Sequence, residues 1–236
     1  MAVTVTINET NVNSNTATIN WTGNAQNYHV RYREKTFFED FEQIEHGSLH
    51  DGWTTIDNDG DGKTWFGNLN TNPGHFLGTH SGYGLAASES YDSNNHKVLK
   101  PDNWLITPLL DLKGTMKVWL RGQSETYSGE HFAIYLSTTG KFVDENGELE
   151  DGLVKLVDEQ VTTSSHKEYT ADLSSYYGQK GYIAIRHFNC TDLLVLDLDD
   201  FGIYDVWTET TVNANSYTIT DLNLGTEYEV EVQAAM

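Results

Sequence analysis

The sequence predicts an all-β fold in which one β-sandwich is inserted into another. Apolar and polar residues alternate in many short segments, as they do in strands that have one buried face. The chain holds 20 Gly and only 3 Pro, together with many Thr, Val and Tyr, which is typical of short strands joined by tight turns. No segment keeps the period of an amphipathic helix.

The first sandwich is predicted from both ends of the chain. Three alternating segments near the N-terminus are predicted as strands: residues 3–9, 17–21 and 28–33. Three strands alone would leave an apolar face exposed to solvent. Further alternating segments within residues 206–236 can supply the missing half. The sequence therefore predicts an interrupted domain, residues 1–35 with 206–236, into which residues 36–205 are inserted.

The flanking segments contain a turn motif and two aromatic residues that are typical of one kind of sandwich. Residues 222–228, with their internal Gly-Thr pair, resemble the tyrosine corner of a fibronectin type III domain, where a hydroxyl group fixes the crossing between sheets. Trp21 and Tyr28 match core residues of that family's second and third strands. The resemblance implies a split fibronectin type III-like sandwich. Its last strand should follow Val232, so we expect either an open edge or a chain cut short of that strand.

The inserted segment is predicted as a second sandwich, of the jelly-roll type. Residues 66–84 have no clear period and are predicted as a long ordered loop, and residues 140–151 as an acidic hairpin tip or loop. Many short strands at this spacing favour a sandwich or jelly roll. The predicted strands lie at residues 37–42, 52–56, 86–91, 101–108, 116–120, 131–136, 154–157, 166–173, 181–188 and 194–204.

The charge balance excludes some partners. The chain carries 35 acidic and 14 basic residues, a net charge of −21. A nucleic acid backbone or an anionic membrane surface requires Lys and Arg, so neither is expected as a partner. No apolar run is long enough to span a bilayer. The acidic excess instead favours solubility and cation binding.

The single cysteine and the N-terminus say little about the compartment. Cys190 cannot form an intrachain disulfide. It follows His187 by three residues, so a Cys–His nucleophile is one interpretation, but a small buried side chain is the favoured one. Met1 and Ala2 lead directly into a predicted strand, without a signal peptide. The chain is expected to be either cytoplasmic or a mature fragment of an exported protein.

The acidic loop that begins at Asp57 is the main candidate metal site. Asp57, Asp59 and Asp61 alternate with other residues, and Gly60 and Gly62 permit sharp bends. Ca²⁺ prefers such flexible, oxygen-rich cages. The pattern matches the first half of an EF-hand loop, but its twelfth position is Asn rather than Glu and no helices flank it. A solvated acidic turn without metal is the alternative.

Other candidate ligands are less specific. Phe37, Glu39 and Phe41 share one face of a predicted strand, which places a carboxylate among apolar neighbours. Such a group needs a partner; a metal ion is one possibility, and a strand end that reaches water is the other. His75 and His80 can ligate transition metals, although surface or turn positions are favoured for both.

The inserted segment contains a series of short motifs in a fixed order. They are Phe41-Glu42, residues 53–57 (Trp-Thr-Thr-Ile-Asp), 59–62 (Asp-Gly-Asp-Gly), Trp65, 101–106 (Pro-Asp-Asn-Trp-Leu-Ile), 129–133 (Gly-Glu-His-Phe-Ala), 186–192 (Arg-His-Phe-Asn-Cys-Thr-Asp) and 198–201 (Leu-Asp-Asp-Phe). With these motifs in this order, the segment resembles the cleaved-adhesin domain of gingipains and related bacterial haemagglutinins. The resemblance implies a calcium-containing jelly roll on a secreted or cell-surface protein, a non-catalytic adhesion module within a larger parent chain. It therefore favours a mature fragment.

The same resemblance implies a ligand set for calcium. Jelly rolls of this kind tie their first strand to their last through the metal, which points to Glu39 with Asp199 or Asp200. The acidic loop either completes that site or forms another. Without a metal, Asp197, Asp199 and Asp200 would crowd one strand, and their like charges would destabilise the fold.

Three functions are compatible with these observations. The first is a calcium-stabilised adhesion module that binds a host protein or glycan. The second is a carbohydrate-binding module attached to a secreted hydrolase, with Tyr83, Tyr91 and Tyr127 as candidate ligand-binding residues and Trp53 and Trp65 expected in the core. The third is a glycoside hydrolase with two carboxylates. No catalytic motif supports an enzyme, so none is expected.

Overall fold

The chain folds into strands and turns. The computed structural model describes residues 6–13, 15–69 and 78–235. Within these residues there are nineteen strands and one short 3₁₀ turn, Ser174–Tyr176. Two compact units are present: one contains residues 1–36 and 204–236, and the other contains residues 37–203. The predicted all-β class, with one β unit inserted between two halves of another, is confirmed.

The first unit is built from strands of both chain ends. A three-stranded antiparallel sheet has the order β1-β2-β18, and β3 pairs antiparallel with β17 and β19. Their bounds are β1 (Thr6–Asn13), β2 (Thr16–Thr22), β3 (Tyr28–Glu39), β17 (Thr208–Val212), β18 (Ser216–Ile219) and β19 (Glu227–Ala234). The predicted strands 28–33 and 37–42 are wrong as separate elements, because β3 continues without a break to Glu39.

Apolar residues of alternating strand positions form the core of this unit. Trp21 packs edge-to-face on Tyr28, with ring centroids 5.4 Å apart, a favoured aromatic geometry. Both residues were expected in a core, and both are buried. Arg31 of β3 pairs with the directly opposite Glu231 of β19 at 2.7 Å, and such cross-strand charge pairs help to fix register. The buried core comprises Ala17, Ile19, Trp21, Tyr28, Val30 and Ile219.

The turn before β19 contains the predicted tyrosine contact. The Tyr228 hydroxyl accepts a hydrogen bond from the backbone N–H of Asn223 at 2.9 Å. Asp221, with a φ angle of 59°, starts this turn in the left-handed region, which Asp tolerates better than most residues. The contact is the one expected at a tyrosine corner. Membership of this unit in the fibronectin type III family stays a prediction.

The second unit is a sandwich of two sheets. One sheet has the order β13-β12-β15-β9-β4, with β10 also paired to β15. The other contains β14-β11-β16-β3, with β6 paired to β16 and β5 to β6. The strands are β4 (Thr54–Asp57), β5 (Phe66–Leu69), β6 (Gly84–Glu89), β7 (Tyr91–Asp92), β8 (Lys97–Val98), β9 (Asp102–Ile106), β10 (Leu110–Leu112), β11 (Thr115–Gly122), β12 (His131–Ser137), β13 (Val154–Val161), β14 (Lys167–Asp172), β15 (Gln179–Phe188) and β16 (Val195–Tyr204).

Strand alternation produces the main core of this unit. Along β11, Met116, Val118 and Leu120 are buried while the residues between them are not. They meet Phe132 and Ile134 of β12, from the other sheet, in one cluster. Burial of apolar surface stabilises a fold by about 25 cal/mol per Å², and this cluster has more buried members than any other cluster of the described residues.

Two predicted loops contain more structure than expected. The stretch 66–84 is not wholly a loop, because Phe66–Leu69 forms β5. Residues 70–77, which include His75, lie outside the described residues. The acidic stretch 140–151 is a loop with a bridge between Val143 and Leu149. Its Phe142 is buried against Trp104 at 5.7 Å between ring centroids.

A search of the described residues found no helix long and apolar enough to cross a membrane.

Replacing Tyr228 by Phe tests the hydroxyl contact. The variant loses the hydrogen bond from Asn223, so its free energy of unfolding in urea should fall by about 0.5–1.5 kcal/mol. Tyr177→Phe is the control, since this tyrosine is 66% exposed, and it should change stability by less than about 0.5 kcal/mol. Equal stability of both variants would show that the contact does not stabilise the turn.

Candidate functional site

The acidic loop after β4 brings its three carboxylates together. One oxygen each from Asp57, Asp59 and Asp61 lies within 4.8 Å of the other two. Gly60 and Gly62 have φ angles of 72° and 83°, a conformation that favours glycine and bends the backbone around the group. The convergence indicated by the sequence spacing is therefore present in the fold.

Backbone N–H groups, rather than basic side chains, donate hydrogen bonds to the carboxylates of this loop. The Asp57 carboxylate accepts N–H hydrogen bonds from Gly60 and Gly62 at 2.8 and 2.9 Å. Lys63 is the nearest lysine in sequence, but its ammonium group pairs with Asp92 at 2.8 Å. Among the described residues, no Lys or Arg forms an ion pair with the three loop carboxylates. Within the part of the chain that the structure describes, no Lys or Arg ion pair therefore compensates their negative charge.

The charge crowding is visible at Asp59. Burial raises the pKa of its carboxyl above the usual value, and the charges of Asp61 and Asp57 raise it further. A hard cation among the oxygens would reverse this effect, because an opposite charge favours the ionised form. Carboxylate oxygens on a glycine-rich loop are the ligand type that Ca²⁺ takes. The loop therefore has the donor set for calcium.

A neighbouring ion pair anchors the loop to β9. Asp59 accepts a hydrogen bond from the Asp102 N–H at 2.7 Å, and the Asn58 side-chain amide donates to the Asp102 carboxylate at 2.7 Å. Arg186 of β15 holds that carboxylate with two hydrogen bonds, at 2.6 and 2.8 Å. Burial alone would raise the pKa of Asp102, but Arg186 holds it below its usual range. Sequence reasoning missed this supporting role, although both residues lie in motifs that it singled out.

Glu39 has protein partners at the end of β3. It is only 7% exposed. Its carboxylate accepts the Phe41 N–H at 2.7 Å, and its other oxygen lies 2.6 Å from His50 Nδ1 and 3.2 Å from Trp53 Nε1. Burial lowers the pKa of His50, yet the hydrogen bond and charge of Glu39 raise it above its usual value. The carboxylate is largely buried, and its observed partner is a histidine that the sequence did not indicate.

Asp199 and Asp200 of β16 hold a different loop. Asp199 accepts N–H hydrogen bonds from His80 and Ser81 at 2.7 and 3.1 Å. Asp200 lies 2.5 Å from His80 Nδ1 and accepts the Ser81 hydroxyl at 2.9 Å. The His80 ring also stacks on Trp119, with centroids 3.8 Å apart. His80 is thus a turn residue held by side-chain contacts, the role that the sequence favoured.

The proposed calcium ligands do not all converge. Among the described residues, Glu39, Asp199 and Asp200 do not form a group whose ligand oxygens lie within 4.8 Å of one another. The acidic loop forms its own group. Their assignment as metal ligands stays a prediction, and the geometry favours the acidic loop over the strand-to-strand set.

Burial of the β16 carboxylates gives the fold a pH dependence. Burial raises the pKa of Asp199 to about 7, and the charge of Asp200 adds to the effect. Burial raises the pKa of Asp197 to about 8, although Arg121 Nε lies 3.2 Å from it and opposes the rise. Both groups therefore bind a proton more readily in the folded chain than in the unfolded chain.

Two of the three predicted tyrosines share a cavity. Tyr91 and Tyr127 line a space of about 350 Å³ together with Asp192, Leu193 and Leu194. Tyr127 is 57% exposed, so its ring is available to a ligand. Backbone hydrogen bonds link the walls, since the N–H of Tyr91 donates to Leu194 O at 3.3 Å. Three separate segments of the chain thus form one aromatic-lined surface.

The remaining candidate aromatic residues lie elsewhere. Tyr83 is 67% exposed and is outside the lining of this cavity. Its N–H donates to Glu42 at 2.7 Å. Trp53 and Trp65 are buried, at 7% and 2% exposure, so the expectation that they belong to the core is confirmed.

A family comparison matches the second unit. The sequence model described as Cleaved Adhesin Domain matches residues 37–203. Among solved structures, the K1 cleaved adhesin domain of Lys-gingipain from Porphyromonas gingivalis W83 is similar, with 34% identity and a TM-score of 0.58. That match covers 72% of this chain and 98% of the other.

Two curated relatives extend the comparison. Hemagglutinin A of Porphyromonas gingivalis is 32% identical over 243 residues, a match that covers 90% of this chain and 10% of the relative. Lys-gingipain W83 of Porphyromonas gingivalis is 36% identical over 176 residues and covers 69% of this chain and 10% of the relative. The chain therefore spans about a tenth of the length of these relatives.

A pH titration of stability, with and without calcium, tests the carboxylates of β16. The folded chain binds a proton at Asp199 more tightly than the unfolded chain does, so the contribution of this group to calcium-free stability should be greatest near pH 4. That contribution to the free energy of unfolding should fall by roughly 2–4 kcal/mol as the pH rises to about 8. Urea unfolding at each pH measures this slope.

Two further measurements show whether Asp199 causes the pH slope and whether it binds calcium. Asp199→Asn should reduce it, whereas the exposed Asp151→Asn control should not. If Asp199 ligates calcium, saturating Ca²⁺ should flatten the slope, because a bound cation keeps the carboxylate ionised. A slope that calcium does not change would exclude Asp199 as a ligand. A pH slope that Asp199→Asn leaves unchanged would contradict the effect of burial.

Proposed function

Because this chain belongs to the cleaved adhesin domain family, we propose that it is a calcium-stabilised adhesion module of a secreted or cell-surface bacterial protein. Its ligand is a host protein or glycan. The observation that carries the calcium part is the Asp57, Asp59 and Asp61 group, which converges without a basic partner among the described residues. Family membership supports the adhesion part, together with the haemagglutinin relative.

The aromatic cavity is the proposed ligand-binding surface. Tyr91, Tyr127 and Asp192 line the same cavity, which therefore combines two aromatic residues with a polar one. Exposed aromatic rings with nearby polar groups suit the apolar faces and hydroxyls of sugars, and they also suit peptide side chains. The cavity lies in the second unit, the part of the chain that matches the family. We assign it the binding role, and we assign no catalytic residue.

An alternative is a carbohydrate-binding module attached to a secreted hydrolase. The same two tyrosines favour it, because ring stacking is a common way to hold a sugar. The two proposals differ in ligand class, so one binding survey separates them. In neither does the chain act as an enzyme. Burial raises the pKa of the Cys190 thiol well above its usual value, so it is a poor nucleophile at neutral pH.

A binding survey tests the proposal. The calcium-loaded chain is applied to a glycan array and to a panel of immobilised host extracellular proteins. Binding to at least one class is expected, and Tyr127→Ala should weaken it at least tenfold, because an exposed aromatic anchor typically contributes more than about 1.4 kcal/mol.

The exposed Tyr177→Ala is the matched control, which should bind as the unmodified chain does. Sugar binding alone would favour the carbohydrate-binding alternative, and protein binding would favour the adhesin. Absence of binding on both panels would contradict both proposals. Binding that Tyr127→Ala leaves unchanged would remove the cavity from the account.

A further inference from the structure

A cluster of three polar side chains lies inside the second unit, apart from the acidic loop. Cys190 Sγ is 3.2 Å from His187 Nε2 and 3.3 Å from Glu130 Oε2. The third side of this triangle, from His187 Nε2 to Glu130 Oε2, measures 3.0 Å. Glu130 and His187 are fully buried. Sequence reasoning noticed the Cys–His spacing but not the carboxylate, which lies far away in the chain.

Separate segments position the three groups. Glu130 immediately precedes β12, His187 lies near the end of β15, and Cys190 is in the turn that follows. Asn189 and Asp192, on either side of the cysteine, both have φ angles of 55°. Asn and Asp tolerate this left-handed conformation better than most residues. The turn therefore directs the thiol back toward the strand that it has just left.

The other polar atoms of these side chains are already occupied. Ser90 Oγ and the Leu194 N–H donate to Glu130 Oε1, each at 2.8 Å. Ser88 Oγ lies 2.8 Å from His187 Nδ1. The two serines thus fix both side chains in orientation and leave Oε2 and Nε2 directed at the sulfur. Outer hydrogen bonds of this kind typically orient the imidazole and carboxylate ligands of a metal ion.

Hydrogen bonds alone do not complete the triangle. A thiol proton can serve one partner, and a neutral imidazole with its proton on Nε2 can donate to Glu130. No proton then lies between the Cys190 sulfur and His187 Nε2, so this 3.2 Å contact is not a hydrogen bond. If the thiol instead donates its proton to an unprotonated Nε2, the lone pairs of that nitrogen and of the carboxylate oxygen face each other at 3.0 Å. A single cation between the sulfur, the nitrogen and the oxygen would accept a lone pair from each of them.

We propose that Glu130, His187 and Cys190 form a binding site for a divalent transition metal of the zinc class. Sides of 3.0–3.3 Å place the centre of the triangle about 1.8 Å from each atom. Zinc bonds to N, O and S of about 2.0–2.3 Å are slightly longer, so the ion lies just above the plane and keeps a fourth position free.

The chemistry of the donors selects the metal. Thiolate and imidazole are ligands for zinc and other borderline metals, whereas calcium takes oxygen ligands only. The ion would also balance charge, because two anionic ligands and one neutral imidazole neutralise a divalent cation. Without the ion, the positive partner of the buried Glu130 carboxylate would be a protonated His187, which lies 3.0 Å from it. This site is therefore distinct from the acidic loop in both position and preference.

Cobalt substitution tests the site on the full chain. The protein is refolded under reducing conditions with Ca²⁺, which fills oxygen sites, and is then titrated with Co²⁺. A thiolate-to-cobalt charge-transfer absorption is expected at one ion per chain. Because the sequence holds a single cysteine, such a band reports on Cys190. X-ray absorption of the zinc-loaded, unmodified chain should show one sulfur neighbour at about 2.3 Å.

Variants separate the metal site from a hydrogen-bonded cluster. Cys190→Ser should abolish the band, and His187→Gln should weaken cobalt binding at least tenfold. Ser88→Ala should keep the band and weaken binding about 10–100-fold, through lost orientation of His187. The exposed Asp151→Asn is the control and should bind cobalt as the unmodified chain does. A folded, unmodified chain without the band, or an affinity that His187→Gln leaves unchanged, would overturn the proposal.

Discussion

Compensation of buried and crowded carboxylates is the constraint on which this fold depends. The chain has 35 acidic but only 14 basic residues, so few acids can be paired with a lysine or arginine. In the second unit, the available basic side chains pair with particular carboxylates. Arg186 holds Asp102, Arg121 lies against Asp197, and His50 holds Glu39. Each of these pairs ties neighbouring segments of the sandwich together, and removal of either partner would leave an uncompensated charge.

The carboxylates without a basic partner are held by backbone N–H groups. Asp57 and Asp199 both accept two such bonds from turns. Backbone donors orient a carboxylate without neutralising it, so the charge remains available to a bound cation. At the acidic loop three such groups share one centre, which is the basis of the proposed calcium site. Asp59 already accepts the Asp102 N–H, so calcium bound in this loop would strengthen an existing contact between the loop and β9.

Local patterns predicted most of the fold, and long-range partners could not be predicted. Alternation identified β11, and the Gly-Thr pair before Tyr228 identified its turn, because both signals lie within a few residues of each other. The His50 partner of Glu39 was missed because nothing in the spacing of a histidine indicates which carboxylate it will meet. The same reason explains Glu130, which reaches His187 only through the pairing of β12 with β15.

The most direct measurement is a crystal structure of the chain grown with calcium. The account predicts a single ion among Asp57, Asp59 and Asp61, with metal–oxygen distances of about 2.3–2.6 Å and further oxygen ligands that complete six to eight positions. The density should disappear from crystals grown with a chelator. Ordered carboxylates that keep only their backbone hydrogen bonds in saturating calcium, with no ion between them, would contradict the central claim.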